Sequence, residues 1–282
     1  MDTQQAQTGA RVQEQSKGRR IAFRVVAILV ALFILAQMVF GLLEIVFMWF
    51  PAETVADMFD EKASNIALHR THFMAIGILA WGIVLSMLLQ LRKPKRRVAP
   101  MLLVVGAAIG GTIVFGLSGT LSEWLIEEIL AVAIPVSLVV FLHPSRYELF
   151  TRPHFEQPLA WMAVLAAASW LVYIVDNAWT QFTNAAGDPH AEMEHWGIAA
   201  LMGIVLSVAA FLGASDKTGW RFTGWYAALG SVIFGVHSLV FTGLASALPA
   251  IWAVAAILWG IVFAAMIVQK SRTDATTQTT AA

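Results

Sequence analysis

The sequence predicts an all-α, polytopic integral membrane protein with about eight transmembrane helices. Apolar residues make up 59% of the 282-residue chain and charged residues only 13%, whereas a soluble domain has roughly 45–50% apolar and 25% charged residues. The mean hydropathy is +0.72. Long uncharged runs recur along the whole chain, as bilayer-spanning segments require. The composition therefore excludes an ordinary soluble domain.

The predicted spans divide the chain into two four-helix units. The first unit covers residues 21–145 and the second residues 158–270, with a linker at 146–157. The tails 1–20 and 271–282 are polar, and their composition predicts disorder. The predicted spans are Val25–Phe50, Phe73–Leu91, Val98–Leu117, Leu121–Leu142, Leu159–Trp179, Trp196–Gly213, Phe222–Leu244 and Pro249–Val268.

The distribution of basic residues predicts how the chain crosses the membrane. With the N-terminus inside, only Lys62 and Arg70 of the eighteen Lys and Arg residues fall in outer segments. Basic residues concentrate on the cytoplasmic side of membrane proteins. We therefore expect a multi-pass protein of the cell membrane with both termini in the cytoplasm and the lipid bilayer as its main partner.

Short sequence matches indicate that the two units are repeats. The segment Gly82–Ser86 recurs as Gly203–Ser207, and Val114-Phe115-Gly116 resembles Ile233-Phe234-Gly235. A unit of four helices is even, so both copies cross the membrane in the same direction. The repeats are then parallel, related by an axis along the membrane normal.

The sequence lacks the signals of several kinds of chemistry. The chain has no cysteine, which excludes disulfides, thiolate metal sites and c-type haem attachment. No pair of helices places histidines at opposite depths for transmembrane haem, and no signal for flavin or for nucleic-acid binding is present.

The first unit places histidines and acids toward the predicted outer side, where a charge inside a membrane helix indicates a functional site. His69 and His72 are three residues apart, and Glu123 and Glu127 are four apart, so each pair shares a helix face. Glu128 points about 100° away from that face. Imidazole and carboxylate groups together suit iron, copper, manganese or zinc. Alternatively, these groups cap helices at the lipid interface or contact outer water.

The second unit offers a comparable set. His195 opens the sixth predicted helix, after a loop that contains Asp188, His190 and Glu194. We expect His237 to lie about halfway along the seventh helix, hydrogen-bonded to Asp176 or Glu44 or to a neighbouring helix. The predicted metal ligands are His69, His72, Glu123, Glu127, Asp176, His195 and His237, with Glu44, Glu128, His190 and Glu194 as further candidates and copper or iron as the expected metal.

The stretch Ser122–Val132 resembles a signature helix in the C subunit of the copper membrane monooxygenases, which oxidise ammonia, methane or short hydrocarbons. In both, a tryptophan (here Trp124) stands three residues before paired glutamates and an apolar run. The segment from Val175 to His195 is similar to that family's other metal-bearing segment. The family's asparagine and histidine ligands fall on Leu117, Leu121 and Pro135 here. The resemblance therefore implies a distant relationship in fold, with any metal held by other residues.

Three classes of function remain open at the level of the sequence. The chain is a metal-binding subunit of a membrane oxidoreductase, a transporter that couples to a proton or cation, or a structural subunit that pairs with other membrane subunits or with copies of itself. A metal that disappears with the histidines supports the first class. Proton-dependent solute flux supports the second, and a fixed partner without metal supports the third.

Overall fold

The computed structural model describes residues 17–59, 62–117, 123–183 and 188–280. Within these ranges, the side chains of residues 59, 117, 123–129, 131 and 276–280 lie outside the description. The described part of the chain is helical, and a lone β-bridge joins Phe155 to Ser215. The helices are α1 (Lys17–Phe47), α2 (Ala52–Phe59), α3 (Ala63–Leu91), α4 (Val98–Leu117), α5 (Glu123–Leu142), α6 (Arg146–Phe150), α7 (Gln157–Thr183), α8 (Pro189–Glu192), α9 (His195–Ala214), α10 (Trp220–Val240) and α11 (Ala250–Thr280).

Among the described residues, seven helices are long and apolar enough to cross a membrane: α1, α3, α4, α7, α9, α10 and α11. This finding confirms an all-helical membrane protein. The eighth predicted span corresponds to α5, a helix of 20 residues that contains Pro135. Its apolar segment with described side chains, Val132–Leu142, is shorter than a full span, so a count of eight stays a prediction.

The long helices form two groups with the same order of neighbours. In the first group, α1 packs along α3, α3 against α4, and both α4 and α1 against α5. In the second, α7 packs along α9, α9 against α10, α10 along α11, and α11 touches α7. The groups meet where α3 and α4 contact α9 and α10. The second and third helices of each group therefore form the centre of the bundle.

Burial follows this arrangement. The most apolar windows of α3 and α9 are 61% and 67% buried, whereas those of α1, α7 and α11 are 28%, 28% and 22% buried. Large apolar side chains such as Phe40, Trp161 and Ile251 remain exposed on the outer helices, as lipid contact requires. Between α9 and α10, a Cβ added to Gly213 would lie 2.6 Å from the Cα of Gly224, so these small residues permit close helix packing.

The helices extend further at both ends than the sequence predicted. The α1 helix begins at Lys17 and α11 continues to Thr280, whereas the predicted spans begin at Val25 and end at Val268. Once a long helix has formed, each further residue adds a hydrogen bond without a new nucleation cost. The start of α3 at Ala63, ten residues before the predicted Phe73, matters for the site described next.

Candidate functional site

Four buried histidines meet where α3 of the first group faces α8 and α9 of the second. His69 and His72 lie on α3, His190 on α8, and His195 is the first residue of α9; they are 1%, 0%, 8% and 5% exposed. The distances between ring centres are 4.6 Å for His69–His190, 4.8 Å for His69–His195, 5.0 Å for His72–His190 and His72–His195, and 6.3 Å for His190–His195. We call these four residues the histidine cluster.

The early start of α3 places the first two histidines. Because the helix begins at Ala63, His69 and His72 lie one turn apart on a formed helix and face the same side. The Nδ1 of His69 is 3.1 Å from the backbone carbonyl oxygen of Asn65, one turn earlier. A carbonyl oxygen only accepts, so Nδ1 carries the proton and Nε2 is left with its lone pair.

The other two histidines are placed by a turn between α7 and α9. Asp188 caps α8 by accepting a hydrogen bond from the backbone N–H of His190, and Pro189 occupies the first helical position, where proline is favoured. The buried Gln181 of α7 donates to the carbonyl of Ala191 at 2.8 Å and accepts from the N–H of Gly197 at 3.1 Å. This single amide therefore fixes α8 and the first turn of α9 against α7.

Acceptors also determine the proton positions on His190 and His72. The Nδ1 of His190 is 3.1 Å from Oδ1 of Asp188. The Nε2 of His72 is 2.8 Å from the hydroxyl oxygen of Ser246, which itself donates to Oδ1 of Asn177 at 2.6 Å. Because the Ser246 proton is directed to Asn177, the Ser246 oxygen accepts from His72. Each of these two rings therefore carries a proton on the nitrogen that faces its acceptor.

One nitrogen of each of the four rings has no hydrogen-bond partner in the described part of the chain. The Nε2 of His69, Nδ1 of His72, Nε2 of His190 and Nδ1 of His195 are all buried without a hydrogen-bond partner among the described residues. Nearly all buried polar atoms in proteins are hydrogen-bonded, so an unpaired atom needs an explanation such as an absent ion or water. Four such atoms in one cluster therefore call for a partner such as an ion or water.

The donor atoms do not converge in their present orientation. Over the ranges 17–59, 62–117, 123–183 and 188–280, no group of three or more His, Asp or Glu side chains could hold a metal ion as the side chains stand. The ring centres are close, but the rings are turned so that their free nitrogens do not share one point. The torsion that turns a histidine ring is broad and low in energy.

Asp188 supplies a carboxylate in contact with the cluster. Its Oδ2 accepts from the indole Nε1–H of Trp196 at 2.9 Å, and its Oδ1 accepts from the backbone of His190. Partial burial raises the pKa of Asp188, but the hydrogen bonds from Trp196 and His190 and the charge of His190 outweigh burial and bring the pKa below its ordinary value. Asp188 is therefore an anion that orients His190.

Two residues near the cluster have strained backbones. Glu194, just before His195, has φ +59°, and Ser246 also has φ +59°. Positive φ is uncommon for residues other than glycine, and such strain concentrates at functional sites. The sequence prediction named Glu194 as a further metal candidate, and the structure places it at the start of α9 as the residue that turns the chain into His195.

His237 lies apart from the cluster, near the end of α10 rather than halfway along a helix. Its ring neighbours are Trp49 and Phe241, at 5.4 and 4.7 Å between ring centres. Both of its ring nitrogens are buried without a hydrogen-bond partner in the described part of the chain. The expected hydrogen bond to Asp176 or Glu44 is therefore wrong. The α10 helix ends at Val240, earlier than predicted, which leaves His237 in its last turn.

Two of the acidic candidates, Asp176 and Glu44, lie outside the cluster. Asp176 is exposed on α7 and lines a cavity beside that helix. Glu44 on α1 is half-buried, and its Oε2 has no hydrogen-bond partner among the residues described. Glu123, Glu127 and Glu128 belong to α5, but their side chains lie outside the described residues.

Sequence reasoning missed the residues that orient the histidines: Asn177, Gln181 and Ser246. It also ranked His190 below the others, although one signal was present. Gly82 and Gly203 of the repeated segment are 121 residues apart, and His69 and His190 are separated by the same 121 residues. The offset between these two matching segments thus pairs His69 with His190 directly.

Comparison of the chain with protein-family models, curated proteins and solved structures gave no match. The fold and the site define an integral membrane protein with a buried histidine cluster between two groups of helices.

Proposed function

We propose that this chain is a metal-binding membrane protein in which His69, His72, His190 and His195 together hold one transition-metal ion. The observation that carries the proposal is the state of the imidazoles. Three of them donate a proton outward to Asn65, Ser246 and Asp188 and keep a free lone pair on a buried nitrogen. Metal-binding histidines are oriented in this way by acceptors on their other nitrogen.

The spacing of the rings supports a four-coordinate site. Metal–nitrogen bonds of about 2.0–2.1 Å place the ring centres of four tetrahedral imidazole ligands roughly 5 Å apart. The cluster has ring-centre distances of 4.6 to 5.0 Å for the pairs that join α3 to α8 and α9. We expect metal binding to turn the rings about their low-energy torsions, with the outward hydrogen bonds to Asn65, Ser246 and Asp188 bending as the free nitrogens approach one ion.

The donor set favours a transition metal over Mg²⁺ or Ca²⁺. Imidazole nitrogens suit copper, zinc, iron and nickel, and copper binds such donors most tightly in the divalent series. A copper or iron ion at the cluster would supply one-electron redox chemistry, in keeping with a subunit of a membrane oxidoreductase. Glu123, Glu127, Asp176 and His237 are not needed as ligands in this proposal.

The location of the cluster suggests how the site arose. It joins α3 and α9, which are the second helices of the two groups. We propose that the groups are parallel repeats and that the distant resemblance to the copper monooxygenase C subunit concerns this helical arrangement. With both termini in the cytoplasm of a cell-membrane protein, the cluster faces the outer side.

The test is the metal content of the detergent-purified protein after loading with copper, iron or zinc and removal of excess metal. Plasma mass spectrometry should find close to one ion per chain in the wild type. The His69→Ala/His190→Ala double variant removes one ligand from each group and should contain less than a tenth of that amount.

The matched control is His154→Ala, because His154 is exposed in the linker between α6 and α7 and should leave the metal content unchanged. Equal metal in the wild type and the double variant would contradict the proposal. The proposal would also be contradicted if the correctly folded wild type, after loading, contained none of the three metals.

A further inference from the structure

A cavity of about 610 Å³ lies between α7 and the α10–α11 region, next to the histidine cluster. The α11 helix packs along α10 and touches α7 only lightly, so space remains between them. Such a volume is typical of sites for small molecules. The cavity includes none of the four histidines among its lining residues, so it is a separate compartment.

The walls of the cavity are apolar and rich in aromatic rings. Trp170, Trp252 and Trp259 line it together with aliphatic side chains. Leu165, Val172 and Trp252 are 56%, 62% and 46% exposed on the lipid-facing surface of the bundle. Because exposed apolar residues also form its wall, the cavity is accessible from the bilayer.

The polar end of the cavity offers hydrogen-bond acceptors. The hydroxyl of Tyr173 is already directed to the carbonyl of Ser246, and the Ser246 hydroxyl is directed to Asn177. Asn177 donates to the carbonyl of Tyr173. These donors are occupied, whereas the exposed Asp176 presents a carboxylate that only accepts. A ligand head group at this end must therefore donate.

A second polar group lies deeper in the wall. Ser231 of α10 lines the cavity and is 1% exposed. Its hydroxyl oxygen has no hydrogen-bond partner within the described ranges. A buried serine on a membrane helix normally bonds to its own backbone or to a neighbour, so this hydroxyl is available to a polar atom of a bound molecule.

We infer that the cavity binds an uncharged, membrane-soluble amphiphile whose hydroxyl head group donates to Asp176 and whose apolar body lies among the tryptophans. The head is uncharged because a charged group entering through the apolar wall would lose its hydration. The carboxylate of Asp176 disfavours an anionic head, since like charges repel.

The cavity and the histidine cluster share a boundary. Ser246 lines the cavity and accepts from Nε2 of His72, and Trp196 lines it and packs against His72 at 5.3 Å between ring centres. A ligand head in the cavity is thus one hydrogen-bonded residue away from the cluster. This connection to a metal rests on the proposed function, whereas the ligand site does not.

The experiment measures quenching of tryptophan fluorescence by a long-chain alcohol that carries bromine on its chain, with the purified protein in detergent. Saturable quenching is expected. The Trp252→Phe variant should show less quenching, and Trp161→Phe, on the lipid-exposed face of α7 outside the cavity, should behave as the wild type apart from its lower signal. Asp176→Ala should weaken binding about tenfold or more, as expected for loss of a hydrogen bond to a charged group.

The matched control for Asp176 is Asp57→Ala, an exposed carboxylate on α2, which should bind normally. Ser231→Ala should weaken binding by a smaller factor than Asp176→Ala. The brominated alkane of the same chain length should bind several-fold more weakly than the alcohol. Equal binding of alkane and alcohol would overturn the inference, and so would tighter binding of the corresponding amine or carboxylic acid.

The proposed metal site and the proposed ligand site can be contradicted independently. Alcohol binding should persist after the metal is removed with a chelator and in the His69→Ala/His190→Ala variant. A protein that binds the alcohol but no metal would overturn only the proposed function. A protein that binds metal but quenches equally with alcohol and alkane would overturn only the ligand site.

Discussion

The helical bundle contains buried histidines at both of its ends, and the hydrogen bonding of their ring nitrogens differs between the two ends. At one end, His143 follows α5 and is 1% exposed. Its Nε2 donates to Oε1 of Gln90 at 3.2 Å, and its Nδ1 accepts from the backbone N–H of Ser145 at 3.1 Å. Both ring nitrogens are satisfied. At the other end, each histidine of the cluster has one buried nitrogen without a partner among the described residues.

Other buried polar groups at the end that contains His143 are also hydrogen-bonded. The buried Lys217 donates to the carbonyl of Glu148 at 2.6 Å and to the carbonyl of Thr151 at 2.7 Å. Gln90 donates to the carbonyl of Arg97 at 3.0 Å. Satisfied buried groups rigidify a structure, whereas unsatisfied ones cost free energy. Burial alone therefore does not identify a functional histidine. The hydrogen-bond partners of both ring nitrogens distinguish a structural histidine from a candidate functional one.

The largest expected effect concerns the free energy of unfolding with and without metal. Bound metal should stabilise the wild type by about 4 kcal/mol when its concentration is 1,000 times Kd. Chelation should therefore lower the Tm of the wild type and of His143→Gln, but not that of His69→Ala/His190→Ala. Thermal unfolding in detergent, with and without chelator, provides the measurement. If chelation lowered the Tm of the double variant as much as that of the wild type, the histidine cluster would not be the metal site, and the proposed difference between the two ends would be contradicted.

A smaller effect is expected at Asp188. The Asp188→Asn variant retains an oxygen for the cap of α8 but loses the charge that faces His190. Loss of such an orienting carboxylate typically reduces metal affinity by about 10- to 100-fold. Competition with a chelator of known affinity measures this change. Asp57→Asn serves as the control, and an unchanged affinity in Asp188→Asn would show that His190 is not a ligand oriented by this carboxylate.

The smallest effect concerns the pH dependence of stability at His143. Burial lowers the pKa of His143 from 6.5 to about 4, so between these values the unfolded chain binds a proton that the folded chain does not. The stability contribution of His143 is therefore complete above the unfolded pKa and is lost as the pH falls from 6.5 toward 4. The slope for one proton is at most about 1.4 kcal/mol per pH unit.

The measurement compares the metal-free wild type with metal-free His143→Gln across this pH range, so that the other histidines contribute equally. His143→Gln should be less stable by about 1 kcal/mol at pH 7, because one hydrogen-bonded group is altered. The difference between the two proteins should shrink as the pH falls. Parallel pH curves would mean that His143 is not held in its neutral form by burial.

The sequence predicted several histidines of the site, but it did not predict which of the candidate residues lie together. The spacing of His69 and His72 predicted a shared helix face, and the structure confirms that both lie on α3. His195 was predicted at a helix start, where it lies. His237 and Asp176 were grouped with them because they occur at similar depth in the predicted helices. Depth does not specify which helix faces point toward each other, and the structure places His237 against Trp49 and Phe241 instead.

The sequence by itself determined that this is a helical membrane protein, because long apolar runs have only one stable backbone arrangement in lipid, with every N–H and C=O bonded inside the helix. It also determined most helix positions and the abundance of histidines in the segments predicted to lie on the outer side. Only the tertiary structure decided which histidines meet, since the packing of α3 against α9 joins residues more than a hundred positions apart. The tertiary structure also decided, through Asn65, Ser246 and Asp188, which nitrogen of His69, His72 and His190 has an acceptor.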